Sequence, residues 1–230
     1  MHPWILGVAV AALGGLALAA DDDAANTASP PCPRSNAAVL ERFISAECET
    51  CWTDAAVPPP GADDWLLDWI VPSAKGDDAP LSPAAPVEAA ARSRRALGTE
   101  PANGRTTAQR SGARAGNGLH LRVASGPAWS GYFAVQLDGA GRAPSGATAW
   151  IALVESVDAG TDGTIAPRQL VRTLAGPFEP AELRSGKPWQ RLQALRWPAT
   201  AKAVRLRARA WIEQRDGRII AMAGERCDAR

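Results

Sequence analysis

Residues alternate in character through the second half of the chain. Leu119, Leu121 and Val123 are separated by His120 and Arg122, and Phe133, Val135 and Leu137 keep the same period of two, the mark of half-buried strands. The runs Trp150 to Val157 and Leu170 to Leu174 are denser in apolar residues and predict further strands. Between Ala203 and Glu213 the pattern is fullest: Val204, Leu206, Ala208, Ala210 and Ile212 point one way, and Arg205, Arg207, Arg209 and Glu213 the other, with Trp211 on the polar side. Asp216-Gly217 predicts a tight turn into a strand over Ile219 to Ala223, closing a terminal hairpin. Six or seven strands at this spacing predict an antiparallel sandwich, or a sheet packed on the first half of the chain.

The first half reads differently. Ala37 to Ile44 (AAVLERFI) predicts a short buried strand running straight into Ser45 to Trp52 (SAECETCW). Pro58-Pro59-Pro60-Gly61 ends any helix that opens at Cys48 after about two turns. Asp64 to Val71 (DWLLDWIV) fits a strand or a helical turn equally, because its periodicity does not decide between them. Residues 72–86 are rich in Pro, Ser and Asp and predict a loop. Val87 to Leu97 predicts a helix with its Ala and Leu residues inward and Arg92, Arg94 and Arg95 mostly outward. Gly98 to Gly118 has few large apolar residues and predicts a linker. The resulting fold class is α+β, with one portion over residues 37–110 and an antiparallel β portion over 117–230.

The amino terminus adds a compartment. Pro3 to Ala20 is uncharged and mostly Ala, Leu, Val, Ile and Gly, and ends in Ala17-Leu18-Ala19-Ala20 before three aspartates. That pattern predicts a signal peptide over residues 1–20 and a secreted or periplasmic protein with no stable membrane span after cleavage. A flexible leader over 21–36, acidic and then rich in Pro, Ser and Asn, follows. The net charge of +1 conceals an asymmetry: residues 21–90 hold 13 acidic and 3 basic residues, whereas 181–230 hold 12 basic and 5 acidic. Without a nucleic-acid-binding motif, and in an exported chain, this split reads as attraction between the halves rather than as a nucleic-acid surface.

Export changes the meaning of the four cysteines, Cys32, Cys48, Cys51 and Cys227, since an even number in an oxidising compartment invites pairing. Three connectivities satisfy four cysteines. Cys48 and Cys51 form a C-x-x-C, which leaves Cys32 and Cys227 as a second pair that would close nearly the whole chain. A C-x-x-C directly after a buried strand places the first sulfur at a helix start, where backbone N–H groups favour a thiolate. In that arrangement Cys48 attacks, Cys51 resolves, and the partner is a protein thiol or disulfide. The acidic residues Glu41, Glu47, Glu49 and Asp54 oppose this by like-charge repulsion, with Arg42 as local compensation.

The stretch Ala38 to Cys51 (AVLERFISAECETC) resembles the opening of a family of uncharacterised secreted bacterial proteins with a thioredoxin-like N-terminal half and a β-rich C-terminal half, in which VELFTS-x-GC-x-x-CP is typical. Ala149 to Glu155 (AWIALVE) and Gln169 to Phe178 (QLVRTLAGPF) resemble that family's WLAL-x-E and VVR-x-L-x-GPF segments. The resemblance implies a thioredoxin-like fold, here degenerate, before the β portion, and thiol–disulfide exchange as the activity. It also makes Glu47 and Trp52 supporting residues, in the positions where the pattern has Gly and Pro. Pro101, after Thr99-Glu100, is the nearest counterpart of the proline that thioredoxins hold in cis opposite the disulfide.

Other chemistries find little support. His2 would leave with the signal peptide, so a metal site would need His120 beside the two thiolates, and no metal or other cofactor is expected. No G-x-S-x-G and no phosphate-binding loop is present. Nine tryptophans against one tyrosine predict mostly packing residues, with Trp189 and Trp197 the first to consider as an exposed stacking face for sugar or peptide. The rival to thiol exchange is a non-enzymatic, envelope-associated binding or structural module in which every cysteine is structural. The oligomeric state stays open.

Overall fold

The computed structural model describes residues 38–54, 64–101, 103–110, 118–179 and 181–225. The expected signal peptide, the leader, Cys32, Cys227 and the Pro58 to Gly61 breaker lie outside the described residues.

Among the described residues ten strands form two sheets. In chain order the strands are β1 (Val39–Ser45), β2 (Trp65–Val71), β3 (Arg105–Arg110), β4 (His120–Trp129), β5 (Tyr132–Ala140), β6 (Thr148–Val157), β7 (Arg168–Phe178), β8 (Trp189–Arg196), β9 (Leu206–Glu213) and β10 (Ile219–Gly224). Three short helices accompany them: α1 (Glu49–Thr53), α2 (Ala89–Leu97) and α3 (Ala181–Ser185). The large sheet has the order β10-β9-β6-β7-β2-β1-β3, and the small one β4-β5-β8. The large sheet is mixed: β1 and β2 run parallel, as do β2 and β7, while β3, β6, β9 and β10 pair antiparallel with their neighbours.

Two cores flank the large sheet, and this accounts for its sequence. Ile151, Leu153, Ala208, Ala210 and Ile212 face the small sheet and meet Val123, Val135 and Leu137 there. Trp150, Ala152, Val154 and Trp211 face the other way and pack with Phe43, Leu67, Trp69 and Ala89, the last from α2. A sheet covered on both faces needs apolar residues at consecutive positions. Every residue of β2 is buried, Asp68 included, which settles Asp64 to Val71 as a strand.

The strand alternation over 203–213 is kept, but its polar side is not solvent-facing. Arg209, Trp211 and Glu213 are buried against the α2 side of the sheet, because that face has its own cover. Val204, expected inward, is 82% exposed because Ala203–Arg205 forms a 3-10 turn before β9 begins. Arg92, expected outward on α2, is buried among carboxylates and indoles, whereas Arg94 faces solvent and Arg95, partly exposed, reaches in to Glu213 and lies over Trp150. The stretch Gly98 to Gly118, expected as a linker, supplies β3; its Arg105, Thr106 and Thr107 suit an edge strand with little to bury. The Arg/Gln-rich stretch after Trp189 is β8, legible only with difficulty since Trp189 and Leu195 are its two buried residues. Trp189 lies against Gly139, where an added Cβ would sit 2.2 Å from the indole.

The terminal hairpin forms as expected, with β9 and β10 antiparallel around the Asp216-Gly217 turn. The β-rich character of the fold is as read from the sequence; a separate thioredoxin-like body is not seen. Strands from residues 37–110 and from 117–230 meet within one sheet, β2 pairing with β7 at Asp68 and Leu170.

Candidate functional site

β1 carries the chain to the C-x-x-C. Cys48 N donates to Ser45 O at 2.9 Å, closing a turn at the strand's end, and Cys51 N donates to Cys48 O at 3.1 Å as α1 begins. Ala46 N donates to Val71 O and Leu81 N to Ala46 O, so β2 and the segment after it pin this turn from the side. Cys48 and Cys51 are joined by a disulfide, with Cα atoms 5.2 Å apart. Both are half-buried and pack on Ile44, Ala46, Trp52 and Ile70.

α1 has only five residues and Cys48 makes no side-chain cap, so little helix dipole reaches the sulfur. The surrounding charges are also arranged differently from their order in the sequence. Glu41 points to the opposite face of β1, where it accepts from Arg92. Glu47 faces Lys75 at 3.3 Å, and hydrogen bonding from Ser73 and then Lys75 holds its carboxyl below the usual range. Asp54 accepts from Arg105 at 2.9 Å. Arg42, expected to compensate the thiols, is committed to Asp68, its register neighbour on β2, with Nε donating to Oδ1 at 2.5 Å. Burial pushes Asp68 up to about 6, against the pull of Arg42, and lowers Arg42 for the same reason.

Trp52 is 5% exposed and fixes α1 to the β half. Its Nε1 donates to Asp162 O at 2.8 Å, its ring lies 5.4 Å from the Arg168 guanidinium, and Arg168 Nη2 donates at 2.7 Å to Trp52 O. Pro101 leads from α2 to β3; among the described residues the cis peptide is Gly176–Pro177 in β7. His120 sits exposed on β4, and among the described residues no three His, Cys, Asp or Glu side chains gather as metal ligands.

Against Trp52, the residue after Cys51, the surface opens into a cleft of about 190 Å³ that neither cysteine lines. Trp52, Ile70, Leu81, Val157 and Leu170 form its apolar walls, all members of the cluster on which Cys48 and Cys51 pack. Arg172, Glu155, Thr200 and Asp162 form its polar part. The pattern of strands gave no sign of this cleft, since its polar residues come from β6, β7 and two loops. Neither Trp189 nor Trp197 is an exposed stacking face: Trp189 is 7% exposed and Trp197 packs on Phe133 with ring centroids 4.9 Å apart. Among the described residues the exposed tryptophan is Trp129, at the β4–β5 hairpin tip.

A second constellation, missed by sequence reading, lies under α2. Arg92 donates through Nε and Nη2 to both oxygens of Glu41, each at 2.7 Å, and through Nη1 to Glu213 at 2.8 Å. Trp150 and Trp211 stand 5.5 Å and 5.4 Å from its guanidinium carbon. Burial alone would lower the Arg92 pKa, but the two carboxylates more than offset it and hold it above the usual value. The i, i+4 spacing of Ala89 and Ser93 flanking Arg92 could have placed it on the inner face, had the carboxylate partners been visible.

Among the described residues no helix is long and apolar enough to cross a membrane. Comparison of the chain with protein-family models, with curated proteins and with solved structures finds no match.

Proposed function

We propose that this chain is an exported, thioredoxin-like protein that exchanges thiols and disulfides through Cys48 and Cys51. The observation that carries the reading is a half-exposed Cys48–Cys51 disulfide at the end of a buried parallel strand. In the reduced pair, the Cys48 thiolate attacks a sulfur of a partner disulfide, forming a mixed disulfide and releasing one partner thiolate. Cys51, as thiolate, then attacks the Cys48 sulfur, releasing the second partner thiolate and closing Cys48–Cys51. Two electrons pass to the partner, and the reverse sequence oxidises it. Pairing of Glu47 with Lys75 and of Asp54 with Arg105 reduces the like-charge repulsion on the thiolate.

The test is alkylation of Cys48 and Cys51 across a dithiol redox titration, together with a Cys51→Ala variant. Exchange predicts a midpoint above about −300 mV and a mixed disulfide trapped at Cys48. A pair oxidised at every accessible potential, with no trapped species, refutes it.

One observation favours the structural rival. Arg168 and Trp52 clamp α1 against the β half, so the disulfide also staples a packed joint. On that reading Cys48→Ala with Cys51→Ala lowers stability by about 2 kcal/mol, the chain-entropy value for so short a loop, and alters no other property.

A further inference from the structure

Arg172, on β7, has an incomplete set of partners. Its side chain is 3% exposed, yet the guanidinium lines the cleft. Nη2 donates to the Thr200 hydroxyl, which is itself committed, donating at 2.8 Å to Pro83 O. Nε lies 3.5 Å from Glu155 Oε2 and makes no hydrogen bond among the described residues. Glu155 is divided in turn, its Oε1 accepting from Lys202 N at 3.0 Å. A guanidinium carries five donors, and leaving such donors dry is costly.

Opposite the polar end, Trp52, Ile70, Leu81 and Leu170 present an apolar wall. Both carboxylates of the lining are offset: Arg172 faces Glu155, and Asp162 pairs with Lys202 at 3.1 Å and Arg205 at 2.7 Å, two cations outside the lining that leave the region with a net charge of +1. The volume of about 190 Å³ is some six waters' share of liquid, enough for a group of about six or seven non-hydrogen atoms.

We propose that this cleft binds a short, branched aliphatic carboxylate, its carboxylate on Arg172 and its alkyl group against Leu81, Ile70 and Leu170. The same chemistry is offered by a free acid and by the leucine carboxyl terminus of a peptide. The site does not depend on thiol exchange: a permanently closed Cys48–Cys51 bond leaves every lining residue in place, so the two readings fail separately.

Isovalerate is the probe, followed by amide shifts in a two-dimensional NMR titration of the full chain. Isovaleramide, of the same shape without the charge, is the control. Saturable shifts over residues 81–84 and 168–172 are expected with isovalerate, and at least ~10-fold weaker binding with the amide. Ala84→Phe, which fills the cleft without touching Arg172, abolishes binding in a protein whose remaining spectrum is unchanged. Arg172→Lys weakens it at least ~10-fold, since lysine cannot present the planar fork. Gly-Gly-Leu and its C-terminal amide distinguish the sources: tighter binding of the free-carboxylate peptide than of isovalerate identifies a peptide terminus, and the reverse a free acid. Absence of saturable shifts with both isovalerate and Gly-Gly-Leu up to about 20 mM, equal binding of isovaleramide, or binding unaffected by Ala84→Phe overturns the proposal. If Arg172→Lys fails to fold, the amide and Ala84→Phe comparisons decide.

Discussion

Replacing Arg92 by Met should be among the most damaging single changes in the protein. Glu41 and Glu213 are both 0% exposed and Arg92 donates charged hydrogen bonds to each, with Arg95 a second donor to Glu213. Methionine fills much of the space but removes the cation shared by two buried carboxylates, while Arg95 and the Trp211 indole still donate to Glu213. Breaking a buried ion pair from one side costs about 3–5 kcal/mol, and the lost contacts to Trp150 and Trp211 add up to about 2 kcal/mol. With a urea slope of about 2 kcal/mol/M, the summed loss of about 3–7 kcal/mol moves the midpoint down by about 1.5–3.5 M. Tryptophan fluorescence during urea unfolding measures it.

The pH dependence separates this cause from simple loss of packing. In the native protein burial pushes Glu213 up, but Arg92 and Arg95 outweigh it and hold its pKa below the usual 4.5. Its contribution to stability is therefore present above about pH 4.5 and is lost as pH falls through the folded-state value. In Arg92→Met burial dominates and the folded-state value rises, so the contribution is present below about pH 4.5 and disappears as pH climbs. The gap between the two proteins should be widest near neutrality and narrow toward pH 4. A loss under about 1 kcal/mol, or a gap that is constant from pH 7 to 4, would refute the reasoning.

The Arg42–Asp68 pair predicts the opposite outcome, because burial moves both groups toward their neutral forms. Arg42→Met combined with Asp68→Leu should leave stability at pH 7 unchanged or raise it by up to about 3 kcal/mol. With Asp68 raised from 3.8 to about 6, its contribution in the native protein is full below pH 3.8 and falls as pH rises to about 6; the double variant lacks that slope in thermal melts. On β9, Leu206→Ala should lose about 2–5 kcal/mol in chemical unfolding, whereas Val204→Lys, two residues earlier in the same apolar alternation, should change stability by less than about 0.5 kcal/mol.

That last contrast shows where sequence reading succeeded. Alternation from Leu206 to Ile212 assigned the faces correctly, because the pleat dictates them whatever covers the sheet. It failed to say that both faces are covered, since a polar side chain reads as solvent-facing unless its buried partner is known. Arg92, Arg209 and Glu213 were misplaced for that reason: their partners lie 121 residues away for Arg92 and Glu213, and 40 for Arg209 and Gln169. β3 and β8 escaped notice because strands that bury little carry little apolar signal. The strand leading to Cys48 was legible, being apolar and continuous with the C-x-x-C. The cleft was not, as Arg172 and Glu155 lie on strands whose polar residues gave no hint that they meet.

The position of β2 in the large sheet has a consequence for synthesis. β2 is central, between β1 and β7, yet some hundred residues of chain separate Val71 from Arg168. A ribosome making about 5–20 residues per second therefore exposes a strand as apolar as WLLDWIV, without its second neighbour, for about 5–20 seconds. Over that interval the nascent chain carries an open, sticky edge beside Asp68. A chain of this design gains from being held by a chaperone until β7 has emerged.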